Sequence, residues 1–200
     1  MGPPFATERL RDSALPALGE VLDADAVAAG LTHAWRRADP AVVRLRVGRR
    51  ADTKYAPGTA CVVVYHVVVE RSASPPEPSF GVASVIPAGS EYRRLEDDPE
   101  LPAAAVAVDP GRIEERVRAL APLREGSDGS LQAVPVRYKP GRTCVVRYEL
   151  GEVVAFGKVM AAGAERQAAA LRQLAAGGAA CVPPLLAVWP DLGMTVSAAV

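Results

Sequence analysis

An eleven-residue segment occurs twice, and this repeat limits the possible folds more than any other feature of the chain. Tyr55-Ala56-Pro57-Gly58-Thr59-Ala60-Cys61-Val62-Val63-Val64-Tyr65 matches Tyr138-Lys139-Pro140-Gly141-Arg142-Thr143-Cys144-Val145-Val146-Arg147-Tyr148 at seven of eleven positions. Self-similarity at a long period marks a duplicated supersecondary unit. Pro followed by Gly between two apolar runs suits a type II turn. Proline fixes φ at the first central position and glycine accepts the positive φ needed at the second. The flanks are β-branched and aromatic, so each copy reads as a hairpin. Phe80-Gly81 and Phe156-Gly157 suggest a second match, each opening a further β-like run.

The pattern around the second copy continues this reading. Residues 134–138 pair with 143–150, Gly151-Glu152 turns the chain, and 153–160 return as a third strand. Ala164 to Ala176 is rich in good helix formers and Gly177-Gly178 stops it. A strand at Leu185 to Trp189, a turn at 190–193 and a last strand from Met194 complete the set. Before the first copy, 13–22 and 23–35 read as helices, with Asp23 as an N-cap. The proline-rich stretch Arg71 to Pro78 reads as a loop. A helical turn is expected near Ser90 to Leu95, a strand at Ala103 to Val108 and a helix at Ile113 to Leu120. The polar, glycine-containing stretch from Glu125 to Ser130 reads as the joint. The prediction is an α+β chain. Residues 1–125 hold N-terminal helices and a degenerate α+β unit. Residues 131–200 hold a five-stranded antiparallel sheet with one helix.

Half of the 200 residues are hydrophobic, enough to give each unit a core. Charges balance, and no basic or acidic run points to nucleic acid. No window resembles a signal peptide or reaches membrane-spanning length, so a cytoplasmic location without membrane contact is expected. The three widely spaced cysteines and two histidines lack metal-site spacing. Cys61 and Cys144 occupy equivalent strand positions and read as small buried hydrophobes.

Several residues of the second unit together carry a resemblance. They are Tyr138-Lys139-Pro140-Gly141-Arg142, Cys144 to Tyr148, Phe156-Gly157-Lys158-Val159, and a following helix with Glu165. This set resembles the N-terminal lobe of the aminoglycoside phosphotransferase-like kinases, a superfamily that includes choline, maltose and aminoglycoside kinases. The resemblance covers roughly residues 131 to 200. The first unit resembles the degenerate cap that some bacterial members carry upstream. The resemblance implies a protein-kinase-like N-lobe binding ATP with Mg2+. Lys158 would contact the α- and β-phosphates and Glu165 would pair with it. Lys139, Gly141 and Arg142 would lie over the phosphates.

The pattern also departs from the family. There is no G-x-G-x-x-G. The family's catalytic aspartate and second metal-binding aspartate lie in a large C-terminal lobe, and no segment here resembles its His-x-Asp loop. No catalytic or metal-ligating residue is therefore assigned in this chain. On this reading the chain is truncated at the hinge between lobes and is inactive alone. Its expected partners are a nucleotide, and either a C-terminal kinase lobe or a second copy covering apolar groups around Leu192, Met194 and the last strand.

Each assignment has an alternative. Lys158 could be a strand lysine in water. Glu165 lies near a helix N-terminus, where the dipole alone favours a carboxylate. Lys139 and Arg142 could be exposed bases of an ordinary hairpin. The first copy carries Ala56 and Thr59 in the turn, and Val82 where its Phe-Gly match sets Lys158. That pattern suggests fold kept and ligand lost. The alternative for the whole chain is a non-catalytic binding or regulatory α+β module that docks a partner.

Overall fold

A computed structural model describes residues 11–120, 129–179 and 181–199. The chain is α+β and divides into two compact units, Met1–Arg94 and Leu95–Val200. The first holds α1 (Leu18–Leu22), α2 (Ala24–Ala38), β1 (Val42–Ala56), β2 (Ala60–Arg71), β3 (Ser74–Ile86) and β4 (Gly89–Arg94). Its sheet is antiparallel in the order β1-β2-β3-β4. Asp23 caps α2, its side chain accepting from the Asp25 and Ala26 amides. Leu18, Leu31 and Trp35 from the helices pack on Val63, Tyr65 and Val67 of β2. Burying one such side chain is worth about 1.5–3 kcal/mol.

The second unit opens with a 3-10 turn at Leu95–Asp97, then α3 (Ala104–Ala107) and α4 (Pro110–Arg118). It continues through β5 (Gln132–Lys139), β6 (Thr143–Leu150), β7 (Val153–Met160), α5 (Ala164–Ala176), β8 (Leu185–Trp189), a 3-10 turn at Pro190–Leu192, and β9 (Met194–Ala198). Its antiparallel sheet runs β5-β6-β7-β9-β8. Arg116 of α4 forms a two-pronged ion pair with Asp191 (2.9 and 2.7 Å) and lies 5.9 Å over the Trp189 ring. That contact anchors the β8–β9 connection to α4.

The repeat extends well beyond the hairpins. Gly58 and Gly141 have φ of +70° and +65°, and the Thr59 and Arg142 amides close the two turns onto Ala56 and Lys139. Upstream, Asp12, Leu15, Pro16, Ala17 and Asp23 recur 86 residues later as Asp98, Leu101, Pro102, Ala103 and Asp109. Asp109 caps α4 as Asp23 caps α2. Tyr65 Oη donates to the Val21 carbonyl (2.7 Å), and Tyr148 Oη to that of Ala107 (2.9 Å). Each copy is thus two helices followed by three strands.

This changes the expected boundary from 125–130 to Arg94/Leu95. Residues 125–128 of the expected joint lie outside the described residues. The sequence reading left α3 and α4 with the first unit. In the structure their segment bonds to β5 and β6 through Asp98 and Ala107. Three local expectations also change. Residues 89–94 are strand β4, and helical turns follow only from Leu95. Residues 104–107 are helical, because Ala-Ala-Val-Ala lies against the sheet as the small counterpart of α1. Ser74 to Pro78 belong to β3, pairing with β2. Strand β4 reaches only as far as Gly81, so this stretch of β3 has a free side where proline needs no N–H partner.

Candidate functional site

The β5–β6–β7 part of the second sheet has two unlike faces. Alternation along the strands puts Cys144, Val146, Tyr148, Ala155, Gly157 and Val159 on a buried face. Thr143, Val145, Arg147, Phe156, Lys158 and Met160 occupy the other face and are only half-buried. Strand register confirms the grouping, since Val145 opposes Lys158, Arg147 opposes Phe156 and Thr143 opposes Met160. Lys158 therefore shares a face with Phe156 and Met160, as alternation predicts.

Helix α5 is reached from the same face. Lys158 Nζ donates to Gln167 Oε1 at 2.8 Å. The expected pairing of Lys158 with Glu165 is therefore replaced by one with Gln167. Helix geometry explains the change. Ala164, Gln167, Ala168 and Leu171 form the inner stripe of α5, with Ala164 and Ala168 buried. Glu165 lies roughly 200° around the helix from Gln167 and is exposed. The register also revises the internal comparison. Cys61 opposes Val85 and Cys144 opposes Val159, so the counterpart of Lys158 is Ser84 rather than Val82.

The Pro140-Gly141 turn is held from the opposite face. Asp98 Oδ2 accepts from Tyr138 Oη at 2.6 Å and from the Gly141 amide at 2.7 Å, while its Oδ1 accepts from the Glu100 amide at 3.1 Å. The first unit repeats the arrangement. There the Asp12 carboxylate accepts from Tyr55 Oη (2.8 Å), the Gly58 amide (2.7 Å) and the Ala14 amide (3.0 Å). The Gly141 amide thus points toward the α3 segment, away from the face of Lys158. Gly141 supplies the left-handed turn conformation, and a side chain there would meet Glu100. Lys139 is half-buried and opposes Thr143, which places it on the Lys158 face; Arg142 is exposed. The two aspartates went unnoticed in the sequence. Their signal is the Asp-x-x-Leu-Pro-Ala stretch followed by the helix-capping Asp, present in both copies.

An open cleft of about 550 Å³ lies where β7 ends and α5 begins, lined by Met160, Gly163, Glu165, Arg166, Pro190 and Gly193 among others. Met194 and Val196, expected to be left uncovered, are fully buried. Strand β9 lies inside the sheet between β7 and β8, and Met194 packs over Gly157. Cys61 and Cys144 are buried free thiols. Burial raises the Cys61 pKa and pushes that of Cys144 up to about 12, so both remain protonated at neutral pH. The His66 ring lies against Phe80, tilted by 43° with ring centroids 4.6 Å apart, and burial lowers its pKa. Among the described residues no His, Cys, Asp and Glu side chains gather into a metal-binding group. Among them, too, no helix is long and apolar enough to cross a membrane. The chain matches no known protein family, no curated protein and no solved structure.

Proposed function

We propose that the second unit is the nucleotide-binding lobe of an ATP-dependent phosphotransferase acting on a small hydroxylated substrate, with a protein-kinase-like N-lobe fold. The first unit is a degenerate copy serving as its cap. One observation carries the reading: a lysine on the third strand is held by the helix that follows, on a face that stays half-open. The order strand-strand-strand-helix-strand-strand, which the resemblance implies, supports it. Phosphoryl transfer is catalysed chiefly by positioning and by cations that offset the charge of the triphosphate. Lys158 is such a cation, and Gln167 fixes its position without cancelling its charge. Lys139 adds a second charge from the turn, on the same face. The Gly141 amide, taken by Asp98, is left out of the phosphate contacts.

ATP brings Mg2+, which neutralises phosphate charge when bound. Along β5, β6 and β7 the open face carries one carboxylate, Glu149, which already pairs with Arg147 at 3.0 Å. On this reading the resemblance assigns the ligands for that metal, and the catalytic aspartates, to a second lobe. The purified chain should bind ATP weakly at most and transfer no phosphate to sugars, choline or aminoglycosides. Calorimetric titration of ATP into the parent and Lys158→Met chains tests the reading. Binding that the substitution weakens about tenfold or more supports it. Turnover by the chain alone would refute the need for a second lobe. The buried free thiols suit a reducing, cytoplasmic compartment.

A second reading is a non-catalytic module that docks a partner. The shared Asp–Tyr–Gly clamp favours it, since the first unit keeps the clamp while lacking a cation at the position of Lys158. Absence of any ATP binding would favour this module.

A further inference from the structure

The two copies allow an internal comparison of the half-open face. In the second unit that face carries Lys139 on β5, Arg147 on β6 and Lys158 on β7. Their counterparts in the first unit, set by the same strand register, are Ala56, Val64 and Ser84. All three cations are present in one copy and absent from the other. A fold requirement would have kept them in both, as it kept the tyrosines, the Pro-Gly turn and the clamp.

Arg147 has no role in the reading above. It is a diagonal neighbour of Lys158, because Arg147 opposes Phe156 while Lys158 opposes Val145. Such diagonal positions lie roughly 7–8 Å apart and are within reach of long side chains. One terminal nitrogen of Arg147 pairs with Glu149, and its side chain is about two-fifths exposed. Its Nε is buried and lacks a hydrogen-bond partner among the described residues. The exposed part of this guanidinium, beside an ammonium held by a neutral amide, forms a two-cation seat with Glu149 as a competing carboxylate. Planar guanidinium and point-charge ammonium together suit phosphate oxygens.

We infer that Arg147 is a second phosphate contact, and that Arg147 and Lys158 together bind a linear polyphosphate chain laid across β6 and β7. As a statement about nucleoside triphosphates it rests on the nucleotide-binding reading; as a statement about polyphosphate it stands alone. Glu149 is its internal competitor, so freeing Arg147 from Glu149 should strengthen binding.

The experiment titrates sodium tripolyphosphate, ATP and adenosine into the full chain and into Arg147→Gln, Lys158→Gln and Glu149→Gln, with thermal melts as a folding control. Tripolyphosphate should bind the parent. Each cation substitution should weaken it on the order of tenfold, and Glu149→Gln should tighten it about two- to threefold. A gain of affinity cannot arise from misfolding. ATP binding that depends on Lys158 but is unchanged in Arg147→Gln and Glu149→Gln would overturn the inference and leave the nucleotide reading standing. Tripolyphosphate binding that depends on both cations, with ATP no tighter than tripolyphosphate, would support the inference and overturn the nucleotide reading. No binding of either compound would overturn both.

Discussion

At the scale of single residues, Asp98 and Asp12 do the same work in different surroundings. Asp98 is 2% exposed. Its removal deletes the bonds it accepts from a buried tyrosine hydroxyl and from a turn amide together. Asp98→Ala should therefore cost about 2–3 kcal/mol of unfolding free energy, measured by urea denaturation. Asp12→Ala should cost less, because solvent can replace the lost partner. Asp12 also carries a pH signature. The Gly58 amide first, and the Tyr55 hydroxyl second, hold its pKa below the ordinary 3.8. A lowered folded-state pKa gives stability that is complete above the unfolded value and is lost as pH falls through the folded one. The melting-temperature gap between parent and Asp12→Ala should stay constant above about pH 5 and close below 3.8. Neither aspartate was legible as a clamp, because each lies some forty residues from its turn and nothing local in the sequence links the two. The turn itself was legible, since Pro-Gly between two apolar runs suits it. The partner of Lys158 was half-legible: the helix was evident, but its rotation about its own axis depends on packing.

At the scale of elements, strands with clear alternation, and helices set off by a capping Asp or a stopping glycine pair, could be read directly, as β6, β7, α2 and α5 show. Short apolar stretches could not. Ala103 to Val108 has no period that separates a buried strand from a buried turn of helix, and tertiary packing decides it. Prolines misled the reading of 74–78 because their cost depends on which side of a strand lies open. Helix α5 is the most weakly held of the long elements. Its N-cap is a left-handed glycine with no side-chain cap, only Ala164 and Ala168 are buried, and Leu174 is 51% exposed. Amide exchange should therefore be faster along α5 than along β6, whose alternate residues are all buried. If α5 proved as well protected as β6, a contact beyond those described would have to be holding it. Its looseness bears on Lys158, whose amine is positioned by Gln167 from this helix.

At the scale of the whole molecule, two units share a design. Tyr65→Phe and Tyr148→Phe each delete one hydroxyl-to-carbonyl bond from equivalent cores. Each should lower stability by about 1 kcal/mol. Because the two sites share no partners, the double variant should show the sum, and a clear departure from additivity would reveal coupling between the copies. The copies differ most plainly in one hairpin. Beyond the opposed pair Tyr65 and Gly81, β2 and β3 continue for 15 residues before meeting; beyond Tyr148 and Ala155, β6 and β7 need only six. Both close with two-residue turns, and Ser72 and Ala73 at the longer tip are exposed. One copy has thus already shown how short that arm can be. A reporter peptide spliced between Ser72 and Ala73 should be carried on a handle that the architecture treats as optional, leaving the clamp and the cationic face untouched.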